Sequence, residues 1–135
     1  MVRRAVAGLA GLGLVGGVGA VAYNDDGSAT VTIKDKQGNE QTVKIGGDGG
    51  KTFSCPDGTE AKLEPIDIRA GRVKITLREV RKDLKTLEKR YPDGAPAKVV
   101  KRYNALAKRD DKLVDAYNTA IDDHNAVLDA DCDPE

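Results

Sequence analysis

The chain is poor in the residues from which most catalytic sites are built. It has one histidine, His124, two cysteines, Cys55 and Cys132, and two serines, Ser28 and Ser54. Neither serine lies in a nucleophile-elbow motif, which argues against a serine hydrolase. A thiol enzyme would have to rely on the single histidine as its base. There is no tryptophan and one phenylalanine among 135 residues. A sugar cleft lined by aromatic rings therefore has little to be made from, although carboxylate spacing alone does not exclude glycoside cleavage. Aromatic scarcity also thins any core, so an elongated fold or a covalent staple is expected.

Metal and phosphate motifs are incomplete. His124 has Asp122, Asp123 and Asn125 beside it, but both aspartates point away from it on a helix, and no second histidine or cysteine cluster completes a zinc site. A histidine at the margin of a packed face is the expectation. Asp129, Asp131 and Asp133 alternate as in a calcium loop without its glycine and distal glutamate, so a solvated acidic tail is the reading and weak calcium binding the alternative. The cluster Gly46-Gly47-Asp48-Gly49-Gly50 lacks the Lys-Ser/Thr and helix start of a phosphate loop, and reads as a connector. No catalytic residue, metal site or cofactor is assigned, and a non-enzymatic role is expected. No motif carries a resemblance to a known family.

The chain does have an amino-terminal address. Arg3 and Arg4 precede eighteen uncharged residues, Ala5 to Ala22, and Ala20-Val21-Ala22 closes the run before a polar segment. A positive start, an apolar middle and an A-x-A end make a secretory signal. Left uncleaved, residues 1–22 would be a membrane anchor with the body outside. Its length is short of the roughly 20 residues of a span, and six glycines weaken it. Either way residues 23–135 are expected outside the cytoplasm, as a secreted or anchored protein. There the two cysteines should pair as Cys55–Cys132.

The remaining chain reads as α+β. Residues 23–29 look like a flexible lead. Residues 30–34 and 41–45 alternate polar and apolar, as half-buried strands do, and Gly38 suits the turn between them. Residues 51–54 are a short third strand. This β region occupies 23–64. From Ile66 the steps become four and three: Ile66, Ala70, Val73, Leu77, Val80, Leu84, Leu87 and Tyr91 form a coiled-coil-like seam. Pro65 suits the first helical position, with Gly71 as a later alternative start, and Pro92-Asp93-Gly94 ends the helix. A second helix runs from near Pro96 to about Asp129, its apolar face three rows wide. It should contact the first helix and the sheet. A helical hairpin with an acidic tail thus fills 65–135, and 23–135 forms one unit. A short turn makes the helices antiparallel and returns Cys132 toward Cys55.

Charge placement is the feature that points to a partner. Between residues 72 and 112 there are 14 Lys/Arg against 6 Asp/Glu, while 129–135 carry four acids and no base. Lys74–Arg78, Arg78–Lys82, Arg81–Lys85, Lys85–Lys89, Lys98–Arg102 and Lys108–Lys112 are like-charged at i,i+4, each costing an isolated helix about 0.2–0.5 kcal/mol. A basic hairpin tip of this kind fits an anionic envelope polymer or lipid headgroups. Arg78, Arg81, Lys82, Lys85, Lys89, Lys98, Lys101, Arg102, Lys108 and Arg109 would carry the contact. A protein-binding or self-associating hairpin is the main alternative, and an enzyme with an unrecognised site a further one. The inferred compartment argues against nucleic acid.

Overall fold

In the computed structural model, residues 18–34, 38–47 and 52–134 are described. A three-stranded antiparallel sheet of β1 (Val18–Tyr23), β2 (Ala29–Lys34) and β3 (Glu40–Ile45) precedes β4 (Phe53–Ser54) and two long helices, α1 (Thr59–Arg90) and α2 (Ala97–Asp131). A last short strand, β5 (Asp133–Pro134), pairs with β4. The architecture is α+β with a helical hairpin, as the period change in the sequence predicts.

The expected hairpin of β2 and β3 forms, with Val31 opposite Val43 and Ile33 opposite Gln41. Its alternation places Ala29, Val31, Ile33, Val43 and Ile45 in the core. Gly38 has a positive φ of 85°, while residues 35–37 of the turn lie outside the described residues.

The lead is not flexible. Val18 to Tyr23 form β1 along the other side of β2, from Val18 opposite Lys34 to Tyr23 opposite Ala29. Asn24 to Ser28 make a tight turn closed by Asn24 N–H on the Ser28 carbonyl at 3.0 Å, and Gly27 takes a φ of 81°. Asp26 accepts from the Ser28 amide at 2.9 Å and from its hydroxyl. Those two bonds hold the Asp26 carboxyl down at about 2, with Lys44 adding to the effect. The polar run that reads as a lead is thus consumed by its own turn bonding. The A-x-A sequence falls inside β1, so cleavage after Ala22 would leave only Tyr23 of that strand. Residues 1–17, the rest of the expected signal or anchor, lie outside the described residues.

The first helix starts at Thr59, not at Pro65 or Gly71. Gly58 turns the chain at φ 95°, and Thr59 bonds the Pro56 carbonyl through its amide at 3.3 Å and its hydroxyl at 2.9 Å. Leu63 in this extra length is buried with Leu128 and Cys132, a gain that offsets Pro65. Proline within a helix forfeits one bond, here to the Ala61 carbonyl. The proline itself is exposed.

Gly71 has a different purpose. A Cβ there would meet Val31 Cγ1 at 2.5 Å, so the glycine lets the helix backbone lie close against the sheet. Its helix-propensity cost of about 1 kcal/mol is offset by that packing. The predicted seam holds: Val73, Leu77 and Val80 are buried with Leu113 of α2. Ile68 and Ile75, off that seam, pack on the sheet core. So α1 touches all three strands of the main sheet as well as α2, and it carries most of the contact expected of the second helix. Tyr117, Ala120, Ile121 and His124 bring α2 to the sheet end of the core.

Cys55 and Cys132 form a disulfide spanning 77 positions, with Cα atoms 4.3 Å apart. Closing a loop of that length restricts the unfolded chain by about 4–5 kcal/mol in the chain-entropy model. The acidic tail is partly structured: Asp133 pairs with Ser54, and Asp131 accepts from Lys62 Nζ at 2.7 Å. Among the described residues no helix is long and apolar enough to cross a membrane.

Candidate anion-binding surface

Two polar features stand out, one buried at the base of the hairpin and one exposed toward its tip. The buried one centres on His124, which is not at the margin of a packed face but fully enclosed. Its partner is Asp67, also fully buried, with Oδ1 2.6 Å from Nδ1. On the other side of the ring Nε2 lies 2.8 Å from the Gly27 carbonyl. A carbonyl only accepts, so Nε2 carries a proton and the Nδ1 contact shares one with the carboxylate. Burial opposes the charged ring, but the Asp67 hydrogen bond and charge, with the Gly27 carbonyl, raise its pKa above the ordinary histidine value. Tyr23 sits in the same neighbourhood, its phenol pushed well above the usual range by burial and by the Asp67 charge.

This pair cannot be read from local sequence, because Asp67 and His124 are 57 positions apart. The one available signal is that Asp67 directly follows the seam residue Ile66, at a position facing inward. With both ring nitrogens engaged and the ring enclosed, the pair is a structural tie between α1, α2 and the Asn24–Ser28 turn. Among the described residues no three His, Cys, Asp or Glu side chains converge as a metal site.

The exposed feature is the hairpin tip. From 81 to 112 no side chain is buried. Arg78, Arg81, Lys82, Lys85, Lys89, Lys98, Lys101, Arg102 and Lys108 are all exposed, and Arg109 is half-buried. Arg81 is held in place, its Nε donating to Asp110 Oδ2 at 2.9 Å across the two helices. Farther out, the Tyr103 hydroxyl donates to Glu88 at 2.7 Å, which raises the phenol's pKa. The ten residues lie along both helices and do not converge on one point. Their arrangement is a charged surface.

Sequence periodicity accounts for part of this. Lys82 and Lys89 continue the heptad row of Ile68 and Ile75, which packs on the sheet. Beyond the sheet's reach the same row turns to solvent. Lys44 and Lys74, which the sequence does not single out, join the surface at its base: Lys74 Nζ donates to the Lys44 carbonyl at 3.1 Å and stands 5.5 Å from the centre of the Tyr117 ring. No protein family, curated protein or solved structure matches the chain.

Proposed function

We propose that this protein is a non-enzymatic, extracytoplasmic interaction module of the cell envelope, secreted or held by its amino-terminal segment, whose basic hairpin tip engages an anionic surface. The carrying observation is that eight of the ten predicted basic residues are exposed between 81 and 112, the part of the hairpin with no buried side chain. Building such a surface from like-charged i,i+4 pairs lowers helix stability, and an anionic partner returns that energy on contact. The disulfide favours an oxidising compartment, where lipid headgroups and wall polymers supply such partners.

Self-association through an apolar face has less support. Among the described residues Val100, at 45% exposure, is the one large hydrophobic side chain that is exposed, and isolated cases are ordinary on protein surfaces.

The test is cosedimentation with phosphatidylglycerol vesicles at low salt. Wild-type protein binds, and the quadruple variant Lys82→Glu, Lys85→Glu, Lys98→Glu, Arg102→Glu loses binding. Equal binding by the two proteins would refute the proposal.

A further inference from the structure

The base of the basic surface is concave where the tip is convex. Two adjoining clefts of about 430 and 420 Å³ lie along one side of the helix pair and share Lys74 and Tyr117. The first runs from the Gly46–Gly47 turn beneath Lys44 to Tyr117, the second from Lys74 past Arg78 to Arg81. Among the described residues, four of those lining this groove are cationic and none is acidic. Its floor is partly apolar, with Tyr117 at the centre.

The cations differ in their commitments. Lys44 pairs with Asp26 at 3.2 Å, and Arg81 with Asp110. Among the described residues no carboxylate pairs with Lys74 or Arg78. Lys74 is held in place by the Lys44 carbonyl and the Tyr117 ring, neither of which neutralises it. Arg78 follows one helical turn later, about 6 Å along the axis. The groove therefore presents a positioned Lys74 and, one turn away, Arg78, neither paired with a carboxylate among the described residues, flanked by two more cations at its ends.

We infer that this groove receives a single extended strand of a phosphodiester polymer, with Lys74 and Arg78 each meeting one phosphate and Tyr117 lying under the linker between them. The inference rests on the reading of the hairpin as a polyanion-binding surface and deepens it. Charge complementarity selects a polyanion, and the short spacing selects a chain with one charge per small polyol unit. Concavity selects a strand, because a flat headgroup layer cannot reach the groove floor. Arg78 suits phosphate through its planar pair of N–H donors.

The experiment titrates the full chain with a synthetic glycerol-phosphate oligomer, following affinity against salt and the amide resonances of Gly46, Gly47 and Asn118. Wild-type protein should show those resonances shifting. Lys74→Gln with Arg78→Gln should weaken oligomer binding at least tenfold and reduce the salt slope by roughly 1.4, about 0.7 for each phosphate contact on a single strand. The tip quadruple variant should keep the groove resonance shifts with the oligomer. Oligomer affinity unchanged in the double variant, or shifts confined to tip residues, would overturn the groove while leaving the tip proposal intact. Inorganic phosphate binding as tightly as the oligomer would overturn the polymer. Groove resonances that shift equally with phosphatidylglycerol vesicles would also overturn it, by making the groove part of a lipid surface.

Discussion

The two ends of the helical hairpin are built to opposite rules. At the base, α1 is covered on one side by the sheet and on another by α2, and its buried residues extend from Thr59 to Val80. Toward the tip the helices have only each other, and nothing between 81 and 112 is buried. The heptad row Ile68, Ile75, Lys82, Lys89 crosses from one regime to the other. What changes along it is the neighbour, since helix geometry is the same throughout. Two helices side by side can exclude water from a narrow seam, and a third layer is needed to enclose whole side chains. Stability therefore concentrates at the base and charge at the tip.

The disulfide offers the largest way to break this contrast. Cys55→Ala with Cys132→Ala should lower stability by about 4 kcal/mol, read as a shift of the denaturant midpoint, with most of the loss expressed at the base. Next comes the buried pair. His124→Leu leaves Asp67 enclosed without its partner and should cost about 3–5 kcal/mol. It also carries a pH signature. The folded histidine has a raised pKa, so its contribution is fully present below the unfolded value of about 6.5. It is lost as pH rises through the higher folded value. Wild-type midpoints measured across that window should fall with rising pH, and the variant should lose this slope.

A matched pair of leucines sharpens the comparison further. Leu113 is fully buried at the base side of the seam, and Leu113→Ala should cost about 2–5 kcal/mol. Leu106, two turns nearer the tip and half-buried, should lose less than half as much in the same denaturation experiment. Equal losses would mean that the tip has a core of its own. The smallest effect is expected at the surface. Lys85→Glu relieves repulsion with Arg81 and Lys89 and should raise stability by about 0.3–0.5 kcal/mol at low salt, a gain that shrinks as salt is added.

How much of this was legible in sequence depends on the range of the interaction. Strand alternation in β2 and β3, the seam of α1 and the turn after Tyr91 are local patterns, and each appears where its period puts it. The disulfide follows from there being two cysteines on antiparallel elements. The start of α1 was hidden because Pro65 is a strong local start signal, overridden by burial of Leu63 against residues far away in the chain. β1 was hidden by its resemblance to the end of a signal segment, with small residues where a strand is usually bulky. Gly19 has a reason to be small: a Cβ there would come within 3.1 Å of Ile68 Cγ2. At the candidate surface the basic residues were visible one by one. The groove was not, because Lys44 and Gly46 reach Lys74 and Tyr117 only through the docking of sheet on hairpin.

The position of Ala20-Val21-Ala22 within β1 sets a matter of timing. A peptidase that reads small residues requires an extended stretch whose amides and carbonyls are unoccupied, and β2 claims the same groups. On the secreted reading proposed above, cutting and sheet closure would be rivals for one six-residue segment, and the faster event would decide whether the finished molecule has three strands in its main sheet or two. A chain that closed first would shield the bond after Ala22 from such a peptidase.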